Sequence, residues 1–127
     1  MKYLLDTHAL IWYFEDSSDM SIKVANLIDD PICQKFISVT SLWEIAIKSN
    51  IGKLNMQLSF NTLLDVIESS ELSILPVKND HLKGLSKLPF IHKDPFDRLL
   101  ISTAIVEKIT LITIDENIRK YDVSWVW

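Results

Sequence analysis

The chain has 127 residues, 48% of them hydrophobic and 24% charged, with 17 acids against 13 lysines and arginines. At about 100–150 residues per domain that is one domain, and the apolar share is that of a packed fold. The two glycines, Gly52 and Gly84, rule out a dinucleotide fingerprint, a P-loop or a Gly-x-Ser-x-Gly elbow. One cysteine, Cys33, rules out disulfide scaffolds and Cys-rich zinc modules, and His8, His81 and His92 lie too far apart for a His-Glu-x-x-His helix. A formal charge of −4 leaves no global basic footprint, so a nucleic acid would need local cations or a bound metal ion. Asp6 and His8 interrupt the opening apolar run too early for a signal peptide, and no uncharged run approaches the ~20 residues of a bilayer span. The expected compartment is the cytoplasm, with no membrane partner.

Lys2 to Leu5 is a short apolar run closed by Asp6 and reads as a buried strand. His8 to Phe14 forms a short helix stopped by Glu15-Asp16-Ser17-Ser18-Asp19. Ser21 caps a second helix whose Val24, Leu27 and Ile28 share a face, and Pro31 ends it. Phe36 to Val39 is a second strand, followed by a helix from about Leu42 to Ser49. Phe60, Leu63, Leu64 and Ile67 recur at helical spacing. Leu72 to Leu75 is a third strand closed by Pro76, Asn79 to Ser86 is helical, and Lys87 to Lys93 is loop. Pro95 sits in the first turn of a helix whose inner stripe is Phe96, Leu99, Leu100 and Thr103. Thr110 to Ile114 is a fourth strand, Glu116 to Lys120 a short helix and Val123 to Trp127 the last strand. Strands that are continuous apolar runs and alternate with helices imply crossovers and burial on both faces. The expected fold is a three-layer α/β/α domain over residues 1–127, with a central, mostly parallel five-stranded sheet.

The acids fall at telling places. Asp6 ends the first strand, Glu44 opens the helix after the second, Asp94 and Asp97 bracket the start of the Pro95 helix, and Asp115 ends the fourth strand. The C-terminal edge of a parallel sheet is where open α/β folds bind ligands. Each acid alone also reads as a cap: Ser41-Leu42-Trp43-Glu44 matches a capping box, Glu44 can pair with Lys48, and Asp94-Pro95 is a helix start. Together they are harder to dismiss, because clustered carboxylates repel one another unless a cation neutralises them. All-oxygen donors with no cysteine or paired histidine suit Mg2+ or Mn2+ rather than zinc. Such an ion can activate water for phosphodiester hydrolysis and bridge an acidic site to an anionic substrate.

Leu4-Leu5-Asp6-Thr7-His8, Ser41-Leu42-Trp43-Glu44-Ile45, His92-Lys93-Asp94-Pro95-Phe96-Asp97-Arg98-Leu99-Leu100 and Leu111-Ile112-Thr113-Ile114-Asp115 resemble, in order and spacing, the PIN-domain ribonucleases, and among them the VapC-type toxins of type II toxin–antitoxin pairs. The resemblance runs from the first strand to the last. It implies strand order 3-2-1-4-5, a homodimer, Mg2+- or Mn2+-dependent endoribonuclease activity on an RNA substrate, and a small cognate antitoxin that blocks the site and binds promoter DNA. By position, Asp6, Glu44, Asp97 and Asp115 match the family's catalytic, metal-binding acids. Asp94 is a further acid of the Asp-Pro-Phe-Asp subgroup and a candidate additional ligand. Thr7 and Thr113 match supporting hydroxyl positions.

Arg98 and Lys93 flank the acids as candidate RNA phosphate contacts, while Lys48 and Lys53 read as solvated surface. His8 and His92 are candidate proton carriers or simply packing groups. Trp12, Tyr13, Phe14 and Trp43 read as packing aromatics, and the Trp125 and Trp127 end as a buried edge strand. Two other functions compete. A receiver-like phosphoacceptor domain would need an acidic neighbour for Asp6, a central strand-end Asp and a late strand-end Lys, which the chain lacks. A non-catalytic RNA- or partner-binding module would not need so many acids.

Overall fold

A computed structural model describes residues 1–127. Five strands, β1 (Lys2–Leu5), β2 (Gln34–Ser38), β3 (Ser73–Leu75), β4 (Thr110–Ile112) and β5 (Trp125–Val126), pair in parallel throughout in the order β3-β2-β1-β4-β5. Each crossover carries helix: α1 (Thr7–Phe14) and α2 (Ile22–Asp29) lead to β2, α3 (Val39–Asn50) and α4 (Phe60–Glu68) to β3, and α5 (Asn79–Lys87) and α6 (Pro95–Glu107) to β4. A single 3-10 turn, Ile118–Lys120, precedes β5.

Alternation along the strands builds a core on each face. Tyr3, Leu5, Ile37 and Ile112 point to one side, where Leu10, Ile28, Ile45, Leu63 and Ile67 from α1 to α4 meet them. Leu4 and Leu111 point to the other side, against Leu100, Ile101 and Ala104 of α6 and Ile118 of the 3-10 turn. The result is the three-layer α/β/α arrangement, with the inner strands buried on both faces.

Most element bounds follow the sequence reading, and the departures have local causes. β2 starts at Gln34, earlier than expected, because Gln34 and Lys35 already pair with Lys2 and Tyr3. Lys35 is buried in spite of its charge, with its amine donating to the Asp30 carbonyl at 2.8 Å. Val39 belongs to α3 and not to the strand: Ser38 is the cap, its hydroxyl accepting from the Thr40 amide at 3.0 Å. The capping box expected at Ser41 and Glu44 is therefore absent, since both residues lie inside the helix and are buried. β4 and β5 are shorter than expected, although the Thr113 amide still reaches the Val126 carbonyl at 3.1 Å.

Helix α5 packs against α6 through Gly84. A Cβ there would lie 2.5 Å from the Ser102 hydroxyl, so only glycine permits the approach. Ser102 uses that hydroxyl to donate to the His81 carbonyl at 2.6 Å. No helix is long and apolar enough to cross a membrane.

Candidate active site

The strand order brings β1 and β4 side by side, and their C-terminal ends launch Asp6 and Asp115 from the same edge. Asp6 caps α1, its carboxylate accepting from the Ala9 amide at 2.8 Å, and is almost wholly buried at 4% exposure. Asp115 follows β4 and accepts from the Asn117 and Ile118 amides at 2.8 and 3.1 Å. Asp94 caps α6, accepting from the Asp97 amide at 2.9 Å, and so sets the first turn from which Asp97 projects. The capping readings of these acids hold, and they do not compete with a shared site.

Glu44 and Asp97 cap nothing. Glu44 lies in the second turn of α3, buried, where it accepts from the Thr7 hydroxyl at 2.6 Å and pairs with Lys48 one turn on. The hydroxyl pair Thr7 and Ser41, 3.2 Å apart, fixes α1 against α3 at this point. Asp97 meets the His92 ring at 3.1 Å. Thr113 is fully buried beside Asp6, with its hydroxyl accepting from the Asp115 amide at 3.0 Å.

Electrostatics tie these acids together. Burial pushes the Asp6 carboxyl up from its ordinary value, against hydrogen bonds from Thr113 and the Ala9 amide, and Asp115 adds repulsion. Asp97 is pushed up to about 7, first by burial and then by Asp94, Asp115 and Glu44, while the His92 hydrogen bond pulls the other way. The Lys48 ammonium is held charged above all by its Glu44 hydrogen bond, with Asp94 and Asp97 also acting on it. Five acids thus share one electrostatic neighbourhood, with Lys48 paired to one of them. As the side chains stand, no three carboxylates or imidazoles close on one point as a ready-made metal cage. Three of the five spend oxygens on helix and turn amides. The donor set nonetheless fits a hard divalent ion: it is all oxygen, partly desolvated and under-neutralised.

Other candidates fall out differently. Arg98 is committed within the chain, donating to the Pro89 carbonyl at 2.8 Å, to the Tyr121 hydroxyl at 3.0 Å and to the Leu88 carbonyl at 3.3 Å, with its guanidinium over the Phe90 ring. Lys93 is exposed. His8 is exposed and lies against Trp12, away from any carboxylate hydrogen bond. Lys48 is an ion-pair partner rather than a solvated lysine. Trp12, Tyr13 and Phe14 are half-buried against the core, and Trp12 meets Trp127 at 5.8 Å. Trp43 departs from the packing expectation: it is 56% exposed and touches the Phe96 ring edge-on. Trp125 is also exposed, under Arg119. Sequence reasoning missed Tyr121, which joins the site only through tertiary packing and carries no motif. None of the three surface cavities is lined by the acids; the largest, about 460 Å³, lies between α1 and α2.

This sheet order and acid placement can be set beside known proteins. The family profile described as the PIN domain matches residues 3–124. The chain belongs to the PIN-domain family. Among solved structures, this PIN domain is similar to the VapBC2 complex of Rickettsia felis bound to a promoter DNA fragment, with TM-score 0.76 and 20% identity over 99% of this chain and 98% of that chain. It is similar to VapBC-1 from nontypeable Haemophilus influenzae, with TM-score 0.71 and 18% identity over 99% and 97% of the two chains. It is more distantly similar to the PIN-domain endonuclease Utp24, with TM-score 0.53 and 12% identity over 94% of this PIN domain and 74% of that chain. At these identities the likeness shows a shared fold. No curated protein sequence matches the chain.

Proposed function

We propose that the chain is a divalent-metal-dependent endoribonuclease that acts as the toxin of a toxin–antitoxin pair. The observation that carries this reading is the gathering of Asp6, Glu44, Asp94, Asp97 and Asp115 at one sheet edge, with Lys48 paired to Glu44. PIN domains are generally nucleases, and the toxin assignment draws on the VapBC assemblies that share the fold. The open edge, with no enclosed cavity at the acids, suits a polymer backbone better than a small metabolite.

Asp6, Asp97, Glu44 and Asp115, with Asp94 as a possible fifth donor, would hold Mg2+, with Mn2+ as a substitute. When bound, such an ion lowers the pKa of coordinated water and stabilises charge on a phosphoryl oxygen. The chain's own residues supply the rest. The Thr7 hydroxyl holds Glu44 and the Ala9 amide holds Asp6, so that neither carboxylate swings freely, and Thr113 lies beside Asp6. Lys48, paired with Glu44, offsets part of the charge. Exposed Lys93, next to Asp94, is placed to meet an RNA phosphate, whereas Arg98 serves the fold.

The proposed partners are an RNA substrate, a small antitoxin and a second copy of the chain. Support for the second copy comes from α3, whose Val39, Trp43 and Ile47, continued by Ile51 at its C-cap, form an exposed, uncharged ridge at four-residue spacing. Two such ridges can interdigitate about a two-fold axis without opposing like charges. The proposed compartment is the cytoplasm.

The test is a brief pulse of the protein in cells, beside an Asp6→Asn control, with 5′ ends of cellular RNA mapped. Growth arrest with discrete new 5′ ends in the wild type alone supports the reading. Arrest by both forms, or RNA binding without new ends, contradicts it and favours a binding module.

A further inference from the structure

The Asp97 carboxylate is held by a chain of hydrogen bonds that begins on another element, at Tyr121 beyond β4. Tyr121 is buried at the end of the 3-10 turn. Its hydroxyl oxygen receives two N–H donors, the His92 backbone amide at 3.2 Å and an Arg98 guanidinium N–H at 3.0 Å. The same oxygen lies 2.8 Å from His92 Nδ1. Two donors fill the acceptor capacity of a phenolic oxygen, so its own hydrogen has one direction left, toward Nδ1. An Nδ1 that accepts cannot carry a proton, which leaves the hydrogen of the neutral ring on Nε2. Nε2 sits 3.1 Å from Asp97 Oδ2. The direction of every bond in the chain is thereby fixed by counting.

We propose that Tyr121 and His92 are positioning residues that fix the orientation of the Asp97 carboxylate: Arg98 and Tyr121 lock His92 as its Nε2–H tautomer, and that N–H holds Oδ2 and leaves Oδ1 free for a cation. The inference rests on the proposed metal-dependent reading and adds to it the parts that aim one ligand. Outer partners of this kind set the angle and basicity of a metal ligand, and losing one typically costs about 10–100-fold in metal affinity. Arg98 has its role here as an anchor: its guanidinium ties Tyr121 to the Leu88–Phe90 loop and so joins the loop, the turn and the α6 start.

The experiment uses the full chain, labelled with 15N-histidine, as wild type and as Tyr121→Phe, His92→Gln and His92→Asn. The first readout is the His92 tautomer in the metal-free protein near pH 7.5, from long-range nitrogen–proton correlations. The wild type should show a protonated Nε2 and a bare Nδ1, and Tyr121→Phe should lose that preference. A wild-type ring protonated on Nδ1, or a tautomer unmoved by Tyr121→Phe, overturns the proposal. The second readout is the affinity for Mn2+ alone, with thermal melting as a check on folding. A glutamine amide nitrogen falls near Nε2 and can still reach Asp97, whereas an asparagine amide nitrogen falls near Nδ1 and cannot. His92→Gln should bind Mn2+ within about threefold of wild type, and Tyr121→Phe and His92→Asn should bind about tenfold more weakly. Equal Mn2+ affinity in all four proteins removes the positioning role while leaving the metal reading intact. A wild type with no saturable Mn2+ binding removes both.

Discussion

Two histidines in this chain meet a carboxylate at nearly the same distance, His81 with Glu107 at 2.9 Å and His92 with Asp97 at 3.1 Å. The carboxylates are driven in opposite directions. Glu107 is held below its ordinary value by the His81 hydrogen bond and then by Lys78. Asp97 is pushed up to about 7, because burial and three neighbouring acids outweigh a similar hydrogen bond. The first pair is balanced: His81 accepts the Lys78 amide at 3.0 Å on one nitrogen and meets Glu107 with the other, which pins α5 to α6. The second is an acid among acids. One region spends its charges on holding the fold together, and the other keeps its acids crowded and short of counter-charge.

The comparison breaks most visibly in activity. Asp6→Asn and Asp97→Asn should each leave the circular dichroism spectrum largely unchanged and reduce Mg2+-dependent RNA cleavage by at least about a hundredfold. His81→Leu should leave cleavage per folded molecule untouched. It should instead cost about 1–3 kcal/mol in denaturant unfolding, since the Lys78 amide loses its acceptor within the fold.

Stability should separate the regions by sign. In metal-free protein at neutral pH, Asp97→Asn removes a repelled charge and should raise Tm by about 3 °C or more, while Glu107→Gln should lower it. The pH profiles should run in opposite senses. Glu107, depressed in the fold, contributes stability that is present above its ordinary value of 4.5 and is lost as pH falls through its lower folded value. Asp97 does the reverse: between its ordinary 3.8 and about 7 the metal-free protein should weaken as pH rises, and Asp97→Asn should flatten that slope. Thermal melts at stepped pH check both. The smallest expected effect distinguishes two flanking cations. Lys93→Ala should lower the salt slope of RNA binding by about 0.7 without changing Tm, whereas Arg98→Ala should lower Tm.

Much of this arrangement was legible in the chain. Apolar runs closed by Asp6, Pro76 and Asp115 located three of the strands, and Asp94-Pro95 marked the α6 start because a carboxylate cap and a first-turn proline are local devices. The strand ends also placed Asp6 and Asp115 together. Glu44 was harder. Its capping-box spacing pointed to a helix start at Ser41, but Ser38 begins the helix directly from the strand and turns Glu44 inward onto Thr7. That choice depends on a buried hydroxyl from another helix, which no window of local sequence contains. Tyr121 and the inward role of Arg98 were hidden for the same reason, since both arise where a turn, a loop and a helix start pack together. Trp43, flanked by buried residues, shows that helical spacing near a core does not guarantee burial.

Calorimetric titration of the metal-free wild type with Mn2+, beside Asp97→Asn, addresses the under-neutralised edge itself. The wild type should bind the ion saturably and gain Tm with it, and the variant should lose at least about tenfold in affinity while starting from a higher metal-free Tm. A wild type without saturable binding, or a variant that binds as tightly from an unchanged Tm, would contradict the claim that these acids are left short of counter-charge to receive a cation.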